Sequence, residues 1–473
     1  MRNCLFLLIA FLSLNVSAYA QPDVKGEWEG KLNAGAVSLR VVFHIEDAGN
    51  GTLSGKMDSP DQGVKGIKCA KVSLAGDSVY IEVNKMAGFA GKIVDATHLT
   101  GVWNQGGNAL PLELEKGAKH TELNRPQTPK PPFDYKSEDV VYQNAAKTQD
   151  FGATITIPNG AGPFPAVLLI TGSGLQNRDE EIMGHKPFAV IADFLTNRGY
   201  IVLRVDDRSK GQSTGDVKNA TTADFAKDVN ISFDYLKSRR EVDTKKMGLL
   251  GHSEGGLIGP MLASERKDVD FIIMMAGPGG KVAELMVAQN DAVMESMGAD
   301  KEDVKKYSPL YSQLLQISIK AKDKEEAIAE MTKAVDKWKA KNTAEVVANT
   351  SGIHDEASEK GFVADFANSS TSPWFKYFLG CDASPYLKKL SCKVLAINGS
   401  KDVQVVAGPN LAGIKASLAI SKSKVYEVKE LPGLNHLFQT CTKCSVAEYG
   451  DLEETISPLA LQTMGDWLDK NVK

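Results

Sequence analysis

From Lys25 to about Lys116, apolar and polar residues alternate in short runs. Val37, Leu39, Val41, Phe43 and Ile45 share one side of a two-residue period, with Ser38, Arg40, His44 and Glu46 on the other. Val79, Ile81 and Val83 repeat the pattern, as do Leu110, Leu112 and Leu114. This is the period of a half-buried strand. Turn signals at Gly49-Asn50-Gly51, Gly76-Asp77 and Gly106-Gly107-Asn108 separate the runs. About eight such strands predict a small antiparallel all-β barrel or sandwich. Four segments add a shared detail: Trp28 to Leu32, Leu53 to Met57, Phe89 to Ile93 and Leu99 to Trp103 each set a glycine between two large apolar residues on one face. Glycine there removes bulk and lets a strand bend, as closure of a barrel requires. Trp28 and Trp103 read as core, and Ser59-Pro60-Asp61-Gln62-Gly63 as a turn.

The pattern then changes twice. His120 to Tyr135 holds Pro126, Pro129, Pro131 and Pro132 among polar residues and reads as a semi-rigid linker. Beyond it, strands and helices alternate. Val140 to Tyr142 and Ala153 to Ile157 open the series, and Pro165 to Thr171 is a continuous apolar run of the kind buried on both faces of a parallel sheet. Helix over Phe188 to Arg198, strand over Tyr200 to Val205, amphipathic helix over Thr221 to Arg239 and strand over Asp270 to Ala276 follow. This is the order of a doubly wound, mostly parallel α/β sheet. From about Lys281 to Phe378 only helical spacing recurs, as in Ile328, Met331, Val335 and Trp338, which read as packing faces. Strands resume at Val394 to Ile397 and Lys424 to Val428, and Pro458 to Asp469 is a last helix. A helical insertion there predicts a cap over the sheet's C-terminal edge, where ligands bind in open α/β folds. The expected division is a leader over 1–20, a β-rich domain over 21–118, a linker over 119–136 and an α/β domain over 137–473 with its cap at about 279–385.

Composition narrows the class. The 473 residues are too many for one ordinary core. Arg2, the apolar run Leu5 to Leu14 and the small residues of Ser17-Ala18-Tyr19-Ala20 form an export signal, too short to span a bilayer. The chain is therefore expected to be periplasmic or secreted, without a membrane span. Its net charge of −4, with no basic cluster, speaks against a nucleic-acid partner. Loss of the leader leaves an odd set of cysteines, Cys69, Cys381, Cys392, Cys441 and Cys444, too few for a disulfide framework. Cys441-Thr442-Lys443-Cys444 lacks the partners of a metal set and reads as a local disulfide or two free thiols. No cofactor or metal is expected, and the sequence sets no oligomeric state.

The candidate chemistry lies at Gly251-His252-Ser253-Glu254-Gly255-Gly256, between the apolar run ending at Leu250 and the helical pattern of Leu257 to Ala263. Gly-x-Ser-x-Gly in a strand-to-helix setting reads as a nucleophile elbow. Gly251 and Gly255 stand where a Cβ would clash, and Ser253 is lifted above the sheet in a strained conformation. A serine nucleophile needs a base, and the base a carboxylate. Asp402, in the loop after Val394 to Asn398, and His436, after the strand ending near Leu431, supply them in the required order. His252 is expected to point away from Ser253 as a packing residue. The oxyanion hole is assigned to the backbone N–H groups of Glu254 and of Ser173, in Thr171-Gly172-Ser173-Gly174. Gly174, Gln176, Asn177 and Arg178 continue that loop as candidate pocket lining. Asp206-Asp207-Arg208 reads as a loop-fixing ion pair, and the Glu254 side chain as a solvated carboxylate at a helix start.

From about Ser137 to Lys473 the chain resembles the α/β-hydrolase superfamily. More narrowly it resembles secreted bacterial carboxylesterases with a β-rich N-terminal domain and a helical cap. Thr171 to Gly174, Arg204 to Arg208, Gly251 to Gly256, Gly399 to Asp402 and Leu434 to Phe438 carry the likeness. The resemblance implies a Ser253, His436, Asp402 triad that cleaves short acyl esters of small molecules without a cofactor. Ser209 departs from the pattern, standing where relatives usually place glycine. Three other readings stand beside the esterase: a serine peptidase or aminoacyl-releasing hydrolase on the same fold, a carbohydrate O-deacylase, and a binding protein on a dead hydrolase scaffold.

Overall fold

The computed structural model describes residues 23–34, 37–49, 51–60, 64–105, 108–117 and 124–473. The expected leader, Cys4 and His120 lie outside the described residues, as do Asn50, Gly106, Gly107 and Asp61 to Gly63 of the predicted turns. The chain divides into two units, one ending at His120 and the other running from Thr121 to Lys473.

Among the described residues the first unit holds nine strands: β1 (Gly26–Ala34), β2 (Val37–Gly49), β3 (Thr52–Ser59), β4 (Val64–Lys68), β5 (Lys71–Ala75), β6 (Ser78–Asn84), β7 (Ala87–Ile93), β8 (His98–Gln105) and β9 (Asn108–Lys116). Their order is β2-β1-β9-β8-β7-β6-β5-β3, and pairing of β3 with β2 closes a ring of eight. All the pairings are antiparallel, and β4 is added on β3. The closed barrel removes its free edges. Trp28, Phe43, Phe89 and Trp103 fill it, with the alternating aliphatic residues between them. The repeated glycines are there for space. Gly91 pairs with Gly101 across β7 and β8, and the Phe89 ring covers both: a Cβ would come within 2.4 Å of its Cζ at Gly91 and 2.8 Å of its Cε2 at Gly101.

In the second unit the strands are β10 (Tyr135–Gln143), β11 (Asp150–Pro158), β12 (Phe164–Ile170), β13 (Ile201–Val205), β14 (Val242–His252), β15 (Phe271–Met275), β16 (Lys393–Gly399) and β17 (Tyr426–Leu431). They form one sheet in the order β10-β11-β13-β12-β14-β15-β16-β17. Strands β10, β11 and β13 pair antiparallel and the rest parallel. This is the mixed sheet of an α/β-hydrolase.

The unbroken apolar run of β12 has a simple cause. Val167 and Leu169 face α1 (Pro187–Asn197) and α12 (Pro458–Asn471), while Leu168 and Ile170 face α2 (Thr222–Ser238) and α3 (Gly255–Glu265). Both faces are buried, so alternation is lost. Because α1 follows β12 on one face and α3 follows the adjacent β14 on the other, a crevice opens between their C-terminal ends. Ligands bind at such a switch point.

Between β15 and β16 lie α4 (Val282–Ser296), α5 (Lys301–Lys320), α6 (Lys324–Lys339), α7 (Ala344–Ser351), α8 (Glu356–Ser370), α9 (Pro373–Leu379) and α10 (Ser384–Lys389). Asp300, Asp323, Thr343, Asp355 and Ser372 cap five of these helices through side-chain oxygens. Tyr307, Leu314, Met331, Val335 and Trp338 give the insertion its own core. Among the described residues no helix is long and apolar enough to cross a membrane.

Two features depart from the sequence expectation. The described part of the Pro-rich segment is tied down: the Arg125 guanidinium donates to the carbonyls of Leu452, Met183 and Gly450 at 2.7, 2.9 and 2.7 Å, and Gln127 bonds Thr455 and Ile456. Helix α11 (Ala407–Ala419) has no counterpart in the reading, since Gly408, Pro409 and Gly413 weaken its signal.

Candidate active site

Strand β14 runs into Ser253 at φ +52°, and α3 begins two residues later. A left-handed conformation at a non-glycine residue costs about 1–2 kcal/mol, so the surroundings must impose it. They do so by contact. A Cβ at Gly251 would lie 2.0 Å from the Gly255 carbonyl oxygen, and one at Gly255 2.2 Å from that of Ile170. The Ser253 N–H donates to the Met275 carbonyl at 2.8 Å, locking the turn to β15.

The loops after β16 and β17 are fastened together. A Cβ at Gly399 would fall 2.2 Å from the Leu434 carbonyl oxygen; in its absence Lys401 N–H donates to that carbonyl at 2.9 Å, and Gly433 N–H to Ser400 Oγ at 2.9 Å. This closeness brings Asp402 Oδ2 to 2.8 Å from His436 Nδ1. Asp402 Oδ1 accepts the N–H groups of Gln404 and Val405, each at 2.8 Å, which aims the carboxylate. Buried Asn435 accepts from the amides of Leu437 and Gln439 at 3.0 Å and sets the turn that presents His436. His436 and Asp402 are both buried, and Ser253 is half-buried. Among the described residues no hydrogen bond joins Ser253 Oγ to His436 Nε2. That contact is commonly long in unliganded hydrolases and tightens on substrate binding.

The loop after β12 reaches Ser253 as expected: a Cβ at Gly172 would lie 3.2 Å from that of Ser253. Carboxylates hold this loop. Glu180 Oε1 accepts Gly172 N–H at 2.7 Å, Asp207 accepts Thr171 Oγ1 and Gln176 N–H at 2.8 Å each, and Glu254 Oε2 accepts Ser173 Oγ at 2.9 Å. Burial pushes Asp207 up to about 7, with Glu180 and Glu254 adding to the rise against its two hydrogen bonds.

The reading of Glu254 as solvated is corrected. Its side chain is buried, and it also takes Thr222 Oγ1 at 2.6 Å and Nε1 of Trp374, on α9 of the insertion, at 3.1 Å. Burial raises its carboxyl above the usual range despite those donors. The loop-fixing pairs also differ in membership. Arg178 Nη2 meets Asp206 Oδ2 at 2.6 Å, and Arg208 Nε meets Asp228 Oδ2 at 2.7 Å. Arg178 is therefore engaged in fixing the loop, and Asn177 accepts the amides of Asp179 and Glu181 within the same turn. Gly174 lines a cavity of about 40 Å³ behind the loop, bounded by Asp207, Phe225 and Glu254; Gln176, Asn177 and Arg178 are not on its wall. It has room for water. Ser209 adopts φ +61°, the conformation for which glycine is favoured, and its Oγ donates to the Gly215 carbonyl at 2.6 Å.

The ring nitrogens of His252 are bonded to groups other than Ser253, and sequence reasoning missed those partners. The ring is buried, with Nδ1 3.0 Å from Glu180 Oε1 and Nε2 3.1 Å from the His436 carbonyl oxygen. Cys441 and Cys444 form a disulfide just beyond the His436 turn, while Cys69, Cys381 and Cys392 are buried free thiols. Cys441, Cys444 and Glu448 lie close enough to suggest a metal set, but the disulfide occupies both sulfurs. Glu448 instead accepts the amides of Thr442, Lys443 and Cys444.

The chain is similar in part to several known proteins. Esterase EstD of Thermotoga maritima is 33% identical over 174 residues, 37% of this chain and 40% of that protein. Acyl-coenzyme A thioesterase 1 of Mus musculus is 29% identical over 143 residues, 30% of each chain. The chain thus spans well under half the length of these relatives. Among solved structures, an esterase of Pyrococcus furiosus matches at a TM-score of 0.41 and 15% identity, over 72% of this chain and 94% of that one. The profile of the X-Pro dipeptidyl-peptidase (S15) family matches residues 150–411, more than half of the sequence and the whole span from β11 through the elbow and the helical insertion to Asp402, and the chain belongs to that family.

Proposed function

We propose that this chain is a serine esterase acting on small, uncharged acyl esters. The observation that carries the reading is the Asp402–His436 pair, 2.8 Å apart on two interlocked loops, beside a strained Ser253 at the sheet's switch point. In this account His436 takes the Ser253 proton as Oγ attacks the ester carbonyl. Asp402 fixes the tautomer and stabilises the imidazolium. The main-chain N–H groups of Ser173 and Glu254 receive the oxyanion. His436 then protonates the departing alcohol, and water, deprotonated by His436, releases the acyl group from Ser253.

The family's name favours a second reading, release of an N-terminal peptide unit. Binding a peptide ammonium calls for a carboxylate open to the site. Three of the carboxylates beside the oxyanion loop already hold protein donors, and Glu180 and Glu254 are buried: Glu180 meets Gly172 and His252, Asp207 meets Thr171 and Gln176, and Glu254 meets Ser173, Thr222 and Trp374. Their crowding also disfavours an anionic acyl group. The N-terminal leader pattern and the Cys441–Cys444 disulfide support an exported, oxidising location.

The test is turnover of short- and long-chain p-nitrophenyl esters beside aminoacyl p-nitroanilides, with Ser253→Ala as control. Short esters should be cleaved and the variant should be inactive. Preference for the anilides would replace the esterase reading with the peptidase one.

A further inference from the structure

His252 is the residue before the nucleophile, yet both of its ring nitrogens face elsewhere. Nε2 lies 3.1 Å from the His436 main-chain oxygen, which can only accept, so Nε2 must carry hydrogen. Nδ1 lies 3.0 Å from Glu180 Oε1, the same oxygen that accepts Gly172 N–H at 2.7 Å. If Glu180 is an ionised carboxylate, that oxygen is also only an acceptor, and Nδ1 then carries hydrogen too. A ring with hydrogen on both nitrogens is an imidazolium. The chain thus holds two histidine–carboxylate pairs side by side, His436 with Asp402 and His252 with Glu180, their ring centroids 4.8 Å apart.

We propose that His252 is a permanently protonated positioning residue that, with Glu180, joins the base loop to the oxyanion loop beneath the nucleophile. One end of the pair holds the main chain of His436 and the other holds the amide next to Ser173. The charged groups facing His252 are Glu180 and Asp402, with His436 beside them. Burial opposes its charge, but the Glu180 carboxylate, the His436 carbonyl and Asp402 outweigh it, leaving the ring's pKa above the ordinary histidine value. Because Glu180 balances the charge, the pair fixes two loops while adding little net field at Ser253. Glu180 itself sits at φ +51°, a conformation the surrounding turn must hold.

The inference rests on the esterase reading only for its kinetic arm. The first measurement needs no turnover: the whole chain, labelled with ¹⁵N-histidine, is followed by NMR from pH 5.5 to 8.5. One histidine should keep both ring nitrogens protonated across that range, and its signals should vanish in His252→Gln. A single unprotonated nitrogen on His252 at pH 7, the mark of a neutral histidine beside a protonated Glu180, would overturn the proposal. The second arm compares kcat and KM for the best p-nitrophenyl ester. Loop misplacement on the order of 1 Å costs about 10²-fold, so His252→Phe should lose about that in kcat with KM within about twofold. Glu180→Gln should fall in the same direction, and His252→Gln, which can still donate to the His436 carbonyl, should recover part of the loss. Unchanged kcat in His252→Phe, or a loss confined to KM, would overturn the positioning role. A wild-type chain without esterase activity would sink the esterase reading and leave the NMR arm standing.

Discussion

Gly251→Ala puts the elbow's steric logic to a quantitative test. The added Cβ would lie 2.0 Å from the Gly255 carbonyl oxygen, 2.3 Å from its carbon and 2.8 Å from Gly256 N. Ordinary contact is nearer ~3.5 Å, and every obstructing atom is backbone, so no side chain can swing aside. The strand end and the start of α3 must separate by roughly 1 Å. Overpacking of this kind costs about 1–3 kcal/mol, and a nucleophile displaced on that scale loses about 10²-fold in turnover. Gly259→Ala, one turn further along α3, is the internal control: its Cβ would meet only Ile170 Cδ1, at 3.9 Å. Replacing that helical glycine should stabilise by about 0.5–1 kcal/mol and leave turnover within about twofold. Urea midpoints with their slopes and kcat on a p-nitrophenyl ester report both effects. Wild-type midpoint and turnover in Gly251→Ala would refute the reasoning, because no relaxation short of moving the elbow accommodates that atom.

Two further expectations concern the frame around His436. His185 is buried beside Gln439 and Tyr449, and burial, with Arg125 nearby, lowers it from 6.5 to about 4. The folded chain therefore binds fewer protons than the unfolded one between those values, so this contribution to stability is full above about pH 6.5 and is lost toward pH 4, up to about 3 kcal/mol. The stability gap between wild type and His185→Gln should narrow between pH 7.5 and 4.5, and a constant gap would contradict the assignment. Reduction of Cys441–Cys444, which closes a very short loop, should cost about 2 kcal/mol while turnover holds within about twofold, since Glu448 still grips the amides of Thr442, Lys443 and Cys444. A tenfold fall in turnover would show that the disulfide, rather than Asn435 and Glu448, sets the His436 turn.

What the sequence made legible were features with a local signature. Gly251 to Gly256 shows its turn because two glycines and a serine must sit between an apolar run and a helix. Asp402 and His436 are found by their place after strands, in the order the proposed reaction needs. The barrel's period is legible because one face of each strand meets water and the other meets Trp28, Phe43 and Trp103. Partnerships across long separations were not. Glu180 meets His252 across 72 residues, and Trp374 meets Glu254 across 120, with no pattern in either neighbourhood to mark them. Glu254 was misjudged because a helix-start carboxylate is favourable in water, and only the arrival of Thr222, Ser173 and Trp374 makes burial tolerable. Arg125 and Gln127 likewise look like linker residues until their carbonyl partners on the far side of the chain are known.

The central claim is that Ser253 is the nucleophile, and covalent labelling tests it most directly. The intact chain would be treated with a p-nitrophenyl phosphonate ester, digested, and its peptides weighed. One stoichiometric adduct is expected on the peptide carrying Gly251 to Gly256, formed with loss of esterase activity and absent in Ser253→Ala. Inactivation with the adduct on another residue, or full esterase activity in Ser253→Ala, would contradict it.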